Sequence, residues 1–473
     1  MKILYVTSEA NPFAASGGLG DVMGALPVSV ANEGNECSVI LPLYDTIKPI
    51  HREKLEHVID MSFNHGWRRT GASVYKTVYN NVTYLFVENH YYFERGKLYG
   101  EFDDAERFSF FSRAVIEYML YSGDIPDVLH ANDWQSALAV VYLKTEFSHI
   151  QSLWGVKTVY TIHNIEYQGK YGSEILGDVF GISSNYRGIL DFDGCINLMK
   201  AAIVTSDFVT TVSPNYANEL QHDYFAFGLS NIIKDSRHKM RGVINGIDYE
   251  YFSPEKGGDI YASYNNRTYK SGKAKNKAAL QAEVGLPVEP NVPLIVMITR
   301  FASQKGIDLV LHIMDELLCE NVQVIVLGTG EKEYEDAFRA LEWRHSNLRA
   351  LIKFDRVISK KMYAGADIFL MPSKSEPCGL AQMIACSYGT IPVVRSVGGL
   401  YDSIRTYGEE GANGFRFDNY NAHELLFTIK DALELYKTPK KWNELTASAK
   451  KSNFTWENSA KEYISIYKNI INK

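Results

Sequence analysis

Pro293-Leu294-Ile295-Val296-Met297-Ile298-Thr299 is a near-continuous apolar run. It passes directly into Arg300-Phe301-Ala302-Ser303-Gln304-Lys305-Gly306 and then into a helical stretch beginning near Asp308. An apolar run of this length without polar alternation reads as a strand covered on both faces, the signature of a parallel sheet. The same unit of strand, polar turn and helix recurs outward in both directions. In the second half the runs are Val322–Gly328, Leu348–Phe354, Ile368–Met371 and Ile391–Val394. In the first half they are Lys2–Thr7, Cys37–Leu43, Val82–Val87, Val128–His130, Lys157–Ile162 and Phe208–Val212. Between them lie amphipathic segments such as Ala105–Tyr121, with Phe108, Phe111, Val115, Tyr118 and Met119 on one face. Strands alternating with helices predict an α/β chain with a doubly wound parallel sheet in each half.

The chain has 473 residues, more than one core accommodates, since cores stop growing at roughly 250–300 residues. Composition is that of a globular protein, with 46% hydrophobic and 22% charged residues. The formal net charge of −7 lacks the basic excess of a non-specific nucleic-acid binder, so no nucleic-acid partner is expected. No apolar run approaches the roughly 18 residues a membrane helix needs. The opening run after Lys2 is also too short for the centre of a signal peptide. The five cysteines are scattered and form no CxxC pair, which suits reduced thiols and predicts a cytoplasmic location. The polar, Gly-containing stretch 253–289 reads as the connection between the halves, and Trp456–Ile471 as a terminal amphipathic helix.

Sheets of this kind bind ligands at the carboxyl ends of their strands, so the polar turns there carry the chemistry. Ala15-Ser16-Gly17-Gly18-Leu19-Gly20-Asp21 follows the first strand. Its paired glycines allow close approach of a ligand to a helix N-terminus, though the same turn also serves as a plain strand–helix connection. Arg300 and Lys305 place a planar fork and a point charge in one turn, a pairing suited to a diphosphate; loop cations are also common on surfaces. In Ser375-Glu376-Pro377-Cys378-Gly379-Leu380, Pro377 suits a first helical position. Glu376 then stands at the start of a helix running to Gly389, either binding hydroxyls or complementing the helix dipole. His163 ends the strand 157–162, a place equally fit for a structural hydrogen bond. His130-Ala-Asn-Asp133-Trp134 and Asn245-Gly246-Ile247-Asp248 are further polar strand ends or turns. Asp191-Phe192-Asp193 is a DxD that reads as coincidence.

In this order and spacing, the motifs resemble those of bacterial glycogen synthases and plant starch synthases over nearly the whole chain. Those enzymes are retaining glucosyltransferases of the GT-B architecture: two Rossmann-like doubly wound domains, a cleft between them, and a C-terminal helix returning to the first domain. The resemblance implies an acceptor-side domain over 1–244, a donor-side domain over 245–455 and the returning helix over 456–473. It implies transfer of glucose from ADP-glucose to the non-reducing 4-OH of an α-1,4-glucan, glycogen or a malto-oligosaccharide, with no metal and no cofactor. Arg300 and Lys305 would then hold the donor diphosphate, Glu376 the glucose hydroxyls, and the N–H groups of Cys378, Gly379 and Leu380 the phosphate. His163 would contact the 6-OH, and Phe354 would pack against adenine. Asp133 falls among the catalytic positions, and Gly17, Gly18, Asp21 and Asn245 among the donor-binding ones.

Three departures stand out. Ala15 occupies the position of the family's lysine, Ser375 that of a usual phenylalanine, and Asn132 and Gln135 replace histidines of some relatives. Ala15 keeps open a related transferase using UDP-glucose or a short acceptor, and a catalytically impaired glucan-binding paralogue. A dinucleotide oxidoreductase is set aside, because no G-x-G-x-x-G follows the first strand.

Overall fold

The computed structural model describes residues 1–256 and 258–473; Gly257, part of the polar central stretch, lies outside the described residues. The chain forms two compact units. One comprises Met1–Val212, Ala217–Val243 and Trp456–Lys473; the other comprises Ser213–Tyr216 and Ile244–Thr455.

The first unit contains β1 (Lys2–Val6), β2 (Glu36–Pro42), β3 (Glu56–His65), β4 (Arg68–Tyr79), β5 (Val82–Glu88), β6 (Val128–Asn132) and β7 (Lys157–Ile162). It continues with β8 (Lys170–Tyr171), β9 (Asp191–Phe192), β10 (Cys195–Asn197), β11 (Phe208–Thr211) and β12 (Met240–Gly242). Nine of these form one sheet in the order β12-β11-β7-β6-β1-β2-β5-β4-β3, and β8, β10 and β9 form a small separate one. Its central pairs are parallel: β1 with β2 and β6, and β7 with β6 and β11. Every residue of β6 is buried, as the unbroken apolar reading requires of a strand packed on both faces. At one edge β3 and β4 add an antiparallel hairpin. In β3 only alternate residues (Met61, Phe63 and His65) are buried, so this ribbon covers the core with one face. The sequence reading missed it because it sought buried, unbroken runs.

The terminal helix Trp456–Ile471 belongs to the first unit, where it packs on the helix Gly18–Asn32. Its Tyr467 hydroxyl lies 2.7 Å from His130 Nδ1 and donates to Tyr5 Oη at 3.2 Å; His130 Nε2 meets Thr161 Oγ1 at 2.6 Å. His130 thus ties this helix to the middle of the sheet. Tyr467→Phe is expected to cost about 1–3 kcal/mol by leaving the buried His130 nitrogen unpaired, measured as a lower urea midpoint with an unchanged m-value.

The second unit has β13 (Leu294–Ile298), β14 (Gln323–Gly328), β15 (Leu348–Ile352), β16 (Ile368–Met371), β17 (Ile391–Arg395) and β18 (Phe415–Phe417). They form one sheet in the order β15-β14-β13-β16-β17-β18, all its pairs parallel. The order reverses beside β13, at β13/β16, and places that switch point directly below the turns carrying Arg300 and Glu376.

Two expectations are corrected here. Much of the stretch read as a connection is the helix Tyr269–Glu283, and it packs within the second unit against the helix Arg356–Gly365. Its polar residues mislead because they are anchors: Asn276 donates to Ala262 O at 2.7 Å, and Lys277 pairs with Asp367 at 2.7 Å. The helix after Glu376 begins at Ala381, so Pro377 is not its first residue. Gly379 has φ +72°, a left-handed conformation that cannot continue a right-handed helix. The helix does end at Gly389, φ +72°.

Among the described residues no helix is long and apolar enough to cross a membrane. Nor does any group of three or more His, Cys, Asp and Glu side chains suit a metal ion. Asp191 instead pairs with Arg187 at 2.6 Å.

Candidate functional site

In the second unit the carboxyl ends of β13 and β16 bring two turns together. After β13, residues Ser303–Lys305 form a single tight turn that ends at Gly306, φ +70°. A Cβ at Gly306 would lie 2.1 Å from Pro372 O, so only glycine lets this turn press against the chain leaving β16. Lys374 N donates to Gln304 O at 2.8 Å and locks the two turns. As a result Lys305 Nζ reaches Glu376 Oε2 at 2.6 Å, and Ser373 Oγ donates to the same oxygen at 3.1 Å. The Glu376 side chain is 9% exposed and that of Lys305 18%. The pair is therefore shielded enough for its charges to matter, yet the lysine stays accessible. Arg300 stands exposed at the end of β13.

The backbone of residues 376–378 is held from behind by Val397-Gly398-Gly399-Leu400. Gly399 N donates to Glu376 O at 3.2 Å, and a Cβ at Gly398 would lie 2.0 Å from that oxygen. The sequence reading missed this pair, although Gly398-Gly399-Leu400 repeats the Gly17-Gly18-Leu19 pattern that it did single out. The Cys378 thiol, pushed up to about 12 by burial, lies against the Asn245 backbone. Asn245 is buried, and its side-chain oxygen has no hydrogen-bond partner among the described residues. Asn245 thus joins the turn of Glu376, Cys378, Gly379 and Leu380. Phe354 stands apart beyond β15, 78% exposed, with Arg356 over its ring at 5.9 Å.

In the first unit the carboxyl ends of β6 and β7 join Asp133 and His163. Asp133 has φ +56°, a backbone conformation uncommon outside glycine. Its Oδ1 accepts from the backbone N–H groups of His163 at 2.8 Å and Asn164 at 3.5 Å. Burial pushes the carboxyl up to about 7 against the pull of those N–H groups, and burial pushes His163 down to about 3, so its imidazole is neutral. Asn132 donates its amide to Val6 O and His130 O and turns its Oδ1 to His163 Nε2 at 2.9 Å. That pairing assigns the proton to Nε2 and leaves Nδ1 as an acceptor.

The Gly-rich turn after β1 is organised by a residue the sequence reading overlooked. Glu9, 4% exposed, accepts from Ser16 N at 2.5 Å, Ser16 Oγ at 2.7 Å and Gly17 N at 3.1 Å, and from the Tyr99 hydroxyl. The Ser16 and Gly17 N–H groups are thus already engaged. Gly17 and Gly18 have negative or extended backbone and would meet nothing within 4 Å if given a Cβ. The fold itself does not require glycine there; a closely approaching ligand would. Asp21 is exposed and accepts from Asn11 at 2.6 Å. Ala15 is exposed on the same turn.

Comparison with known proteins covers nearly the whole chain. Residues 2–235 match the family model of the starch synthase catalytic domain, and residues 281–448 that of glycosyl transferases group 1. A glycogen synthase of Clostridium botulinum is 44% identical over 477 residues, 99% of this chain and 99% of its own. One of Exiguobacterium sibiricum is 42% identical over 478 residues, again 99% of each. The solved catalytic domain of starch synthase IV from Arabidopsis thaliana, bound to ADP and acarbose, aligns with a TM-score of 0.90 at 30% identity, covering 100% of this chain and 99% of that one. The chain belongs to the glycogen and starch synthase family of GT-B glycosyltransferases.

Proposed function

We propose that the chain transfers glucose from ADP-glucose to the non-reducing 4-OH of an α-1,4-glucan, with retention of configuration. The observation that carries this reading is the Lys305–Glu376 pair at 2.6 Å, set at the switch point of the sheet beside Arg300. In the reaction the bond from C1 to the diphosphate breaks and a bond from C1 to the acceptor O4 forms. The proton of the 4-OH leaves with the departing phosphate. Negative charge grows on the diphosphate as C1 turns cationic, so fixed cations aimed at the leaving group supply the largest stabilisation. Arg300 and Lys305 have that role, with the N–H groups of Cys378, Gly379 and Leu380 beside them. Glu376 both orients Lys305 and accepts from the glucose hydroxyls. Asn245, whose buried side-chain oxygen is unpaired among the described residues, offers a further acceptor. The neutral His163 presents Nδ1 to a hydroxyl without placing a positive charge near the cationic C1. Asp133 holds the His163 backbone and so acts as a positioning residue. The five cysteines are free and suit a reducing compartment, the cytoplasm.

Ala15 favours a second reading, a donor site one cation short. The test is transfer of labelled glucose onto glycogen from ADP-glucose and from UDP-glucose, with Ala15→Lys alongside. Turnover from ADP-glucose is expected. Ala15 is exposed, so the lysine fits without repacking; it is expected to lower the donor KM by about tenfold or more, the worth of a charged hydrogen bond. Transfer from UDP-glucose alone would change the donor. No transfer from either, with glycogen still bound, would leave a glucan-binding paralogue.

A further inference from the structure

We propose that Gln382 is a positioning residue for the donor diphosphate. It holds two peptide carbonyls of the turn after Glu376 and so aims the N–H groups of Gly379 and Leu380 at the leaving group. The inference deepens the glucosyl-transfer reading and rests on it. Gln382 is the second residue of the helix Ala381–Tyr388 and is 0% exposed. Side chains in a helix lean back towards its N-terminus, which carries this one over the turn that precedes it.

One end of the Gln382 side chain faces three oxygen atoms. Nε2 lies 3.2 Å from Cys378 O, 2.9 Å from Gly379 O and 2.9 Å from Ser403 Oγ. The Ser403 hydroxyl spends its own proton on Gly399 O at 2.6 Å. All three atoms therefore accept, which assigns this end of the amide as its NH2 group. Gln382 Oε1 has no hydrogen-bond partner among the described residues. Only the donors of this side chain are used, and two of their three acceptors are backbone atoms of the turn.

Peptide geometry converts that hold into an orientation. Both peptides are trans, and in a planar trans peptide the C=O and N–H point in opposite directions. Cys378 O shares its peptide with Gly379 N–H, and Gly379 O shares its peptide with Leu380 N–H. Drawing both carbonyls onto the buried amide turns both N–H groups away from it. Gly379 is left-handed, φ +72°, and Leu380 right-handed, φ −112° and ψ −29°. Adjacent residues of opposite hand bring successive N–H groups into a concave nest for an anion. Among the described residues neither N–H has a hydrogen-bond partner. A Cβ at Gly379 would lie 2.6 Å from Gln382 Oε1, so glycine lets the amide come this close.

Steady-state transfer from ADP-glucose to glycogen, with ADP as inhibitor, tests the proposal on the parent, Gln382→Met and Gln382→Glu. Methionine keeps the length and loses both donors. Glutamate keeps the shape and donates one hydrogen bond at most, and it serves where the methionine variant does not fold. Gln382→Met is expected to raise the ADP inhibition constant and the donor KM about tenfold, and Gln382→Glu about threefold or more, the scale of weakened hydrogen bonds to a charged group. The KM for glycogen is expected to stay as in the parent. A merely structural role would lower the fraction of active chain, and with it kcat, without moving the inhibition constant. Hydrogen exchange of the parent gives a reading that needs no variant: ADP is expected to slow exchange at Gly379 and Leu380. An unchanged inhibition constant in a folded variant, a loss in kcat alone, or exchange at 379 and 380 that ADP leaves as it was would each overturn the inference while transfer by the parent stands. A parent that neither transfers from ADP-glucose nor binds ADP would overturn the donor reading and this inference with it.

Discussion

Replacing Glu376 with alanine is expected to cut kcat by about a hundredfold to a thousandfold, roughly 2.7–4 kcal/mol of transition-state stabilisation, while the chain stays folded. Two losses coincide in that variant. On the proposed reading, the acceptor for the glucose hydroxyls disappears, and Lys305, held by Glu376 at 2.6 Å, is released from the place where the leaving diphosphate would gain charge. Lys305→Ala removes the cation itself and is expected to cost a similar factor. Because the two side chains touch, their effects are not independent. The double variant is therefore expected to fall little below the worse single one, the result for groups that act as a unit. Ser373 still donates to whatever acceptor stands at 376, so Glu376→Gln keeps the local packing and separates lost charge from lost shape. Steady-state kinetics with thermal melts of all four variants make the check. Near-normal turnover in either single variant would sink the assignment, and so would a double variant whose losses simply add.

The lobes and their parallel sheets were legible because buried strands are written as unbroken apolar runs. Lys157–Ile162 and Ile368–Met371 are strands with those bounds, and the others end within one or two residues of the reading. What escaped was structure whose signal is not apolar. The β3–β4 hairpin buries one face only, and the helix Tyr269–Glu283 is rich in lysine because its lysines reach inward to carbonyls and to Asp367. Pro377 looked like a helix start, but a left-handed Gly379 separates it from the helix. At the site, the residues that can carry charge or accept protons were visible as turns after strands. Those that hold them in place were not. Glu9 is a lone carboxylate in the sequence, and only the folded chain brings it to the N–H groups of Ser16 and Gly17. Gly398 and Gly399 matter through a contact with residues more than twenty positions away.

Asp133→Asn is expected to stabilise the chain at pH 8 and to lose that advantage steadily as the pH falls to about 4. The sign follows from three titratable groups on and just after β6 and β7, His130 buried and Asp133 and His163 half-buried. Burial lowers His130 and His163 from 6.5 to about 3. Between those values the unfolded chain binds protons that the folded chain refuses, so each histidine makes stability fall as the pH falls, by roughly 1.4 kcal/mol per unit. Asp133 runs the other way, raised from 3.8 to about 7. Through that window the folded chain keeps a proton that the unfolded chain has released, so its contribution to stability falls as the pH rises. In the parent the two histidines outweigh the one carboxyl, leaving a net acid destabilisation of roughly 1.4 kcal/mol per unit from this cluster. Asparagine still accepts the His163 N–H but cannot ionise, so it removes the opposing slope and spares the folded state the cost of a buried charge. Urea unfolding of parent and variant at half-unit steps from pH 4 to 8 isolates Asp133, since every other group is common to both chains. A stability difference that grows with pH at roughly 1.4 kcal/mol per unit and levels off near 7 places the proton on Asp133. A difference that stays flat across this range would mean that Asp133 is already ionised throughout it, and that the backbone N–H groups of His163 and Asn164, rather than burial, set its charge.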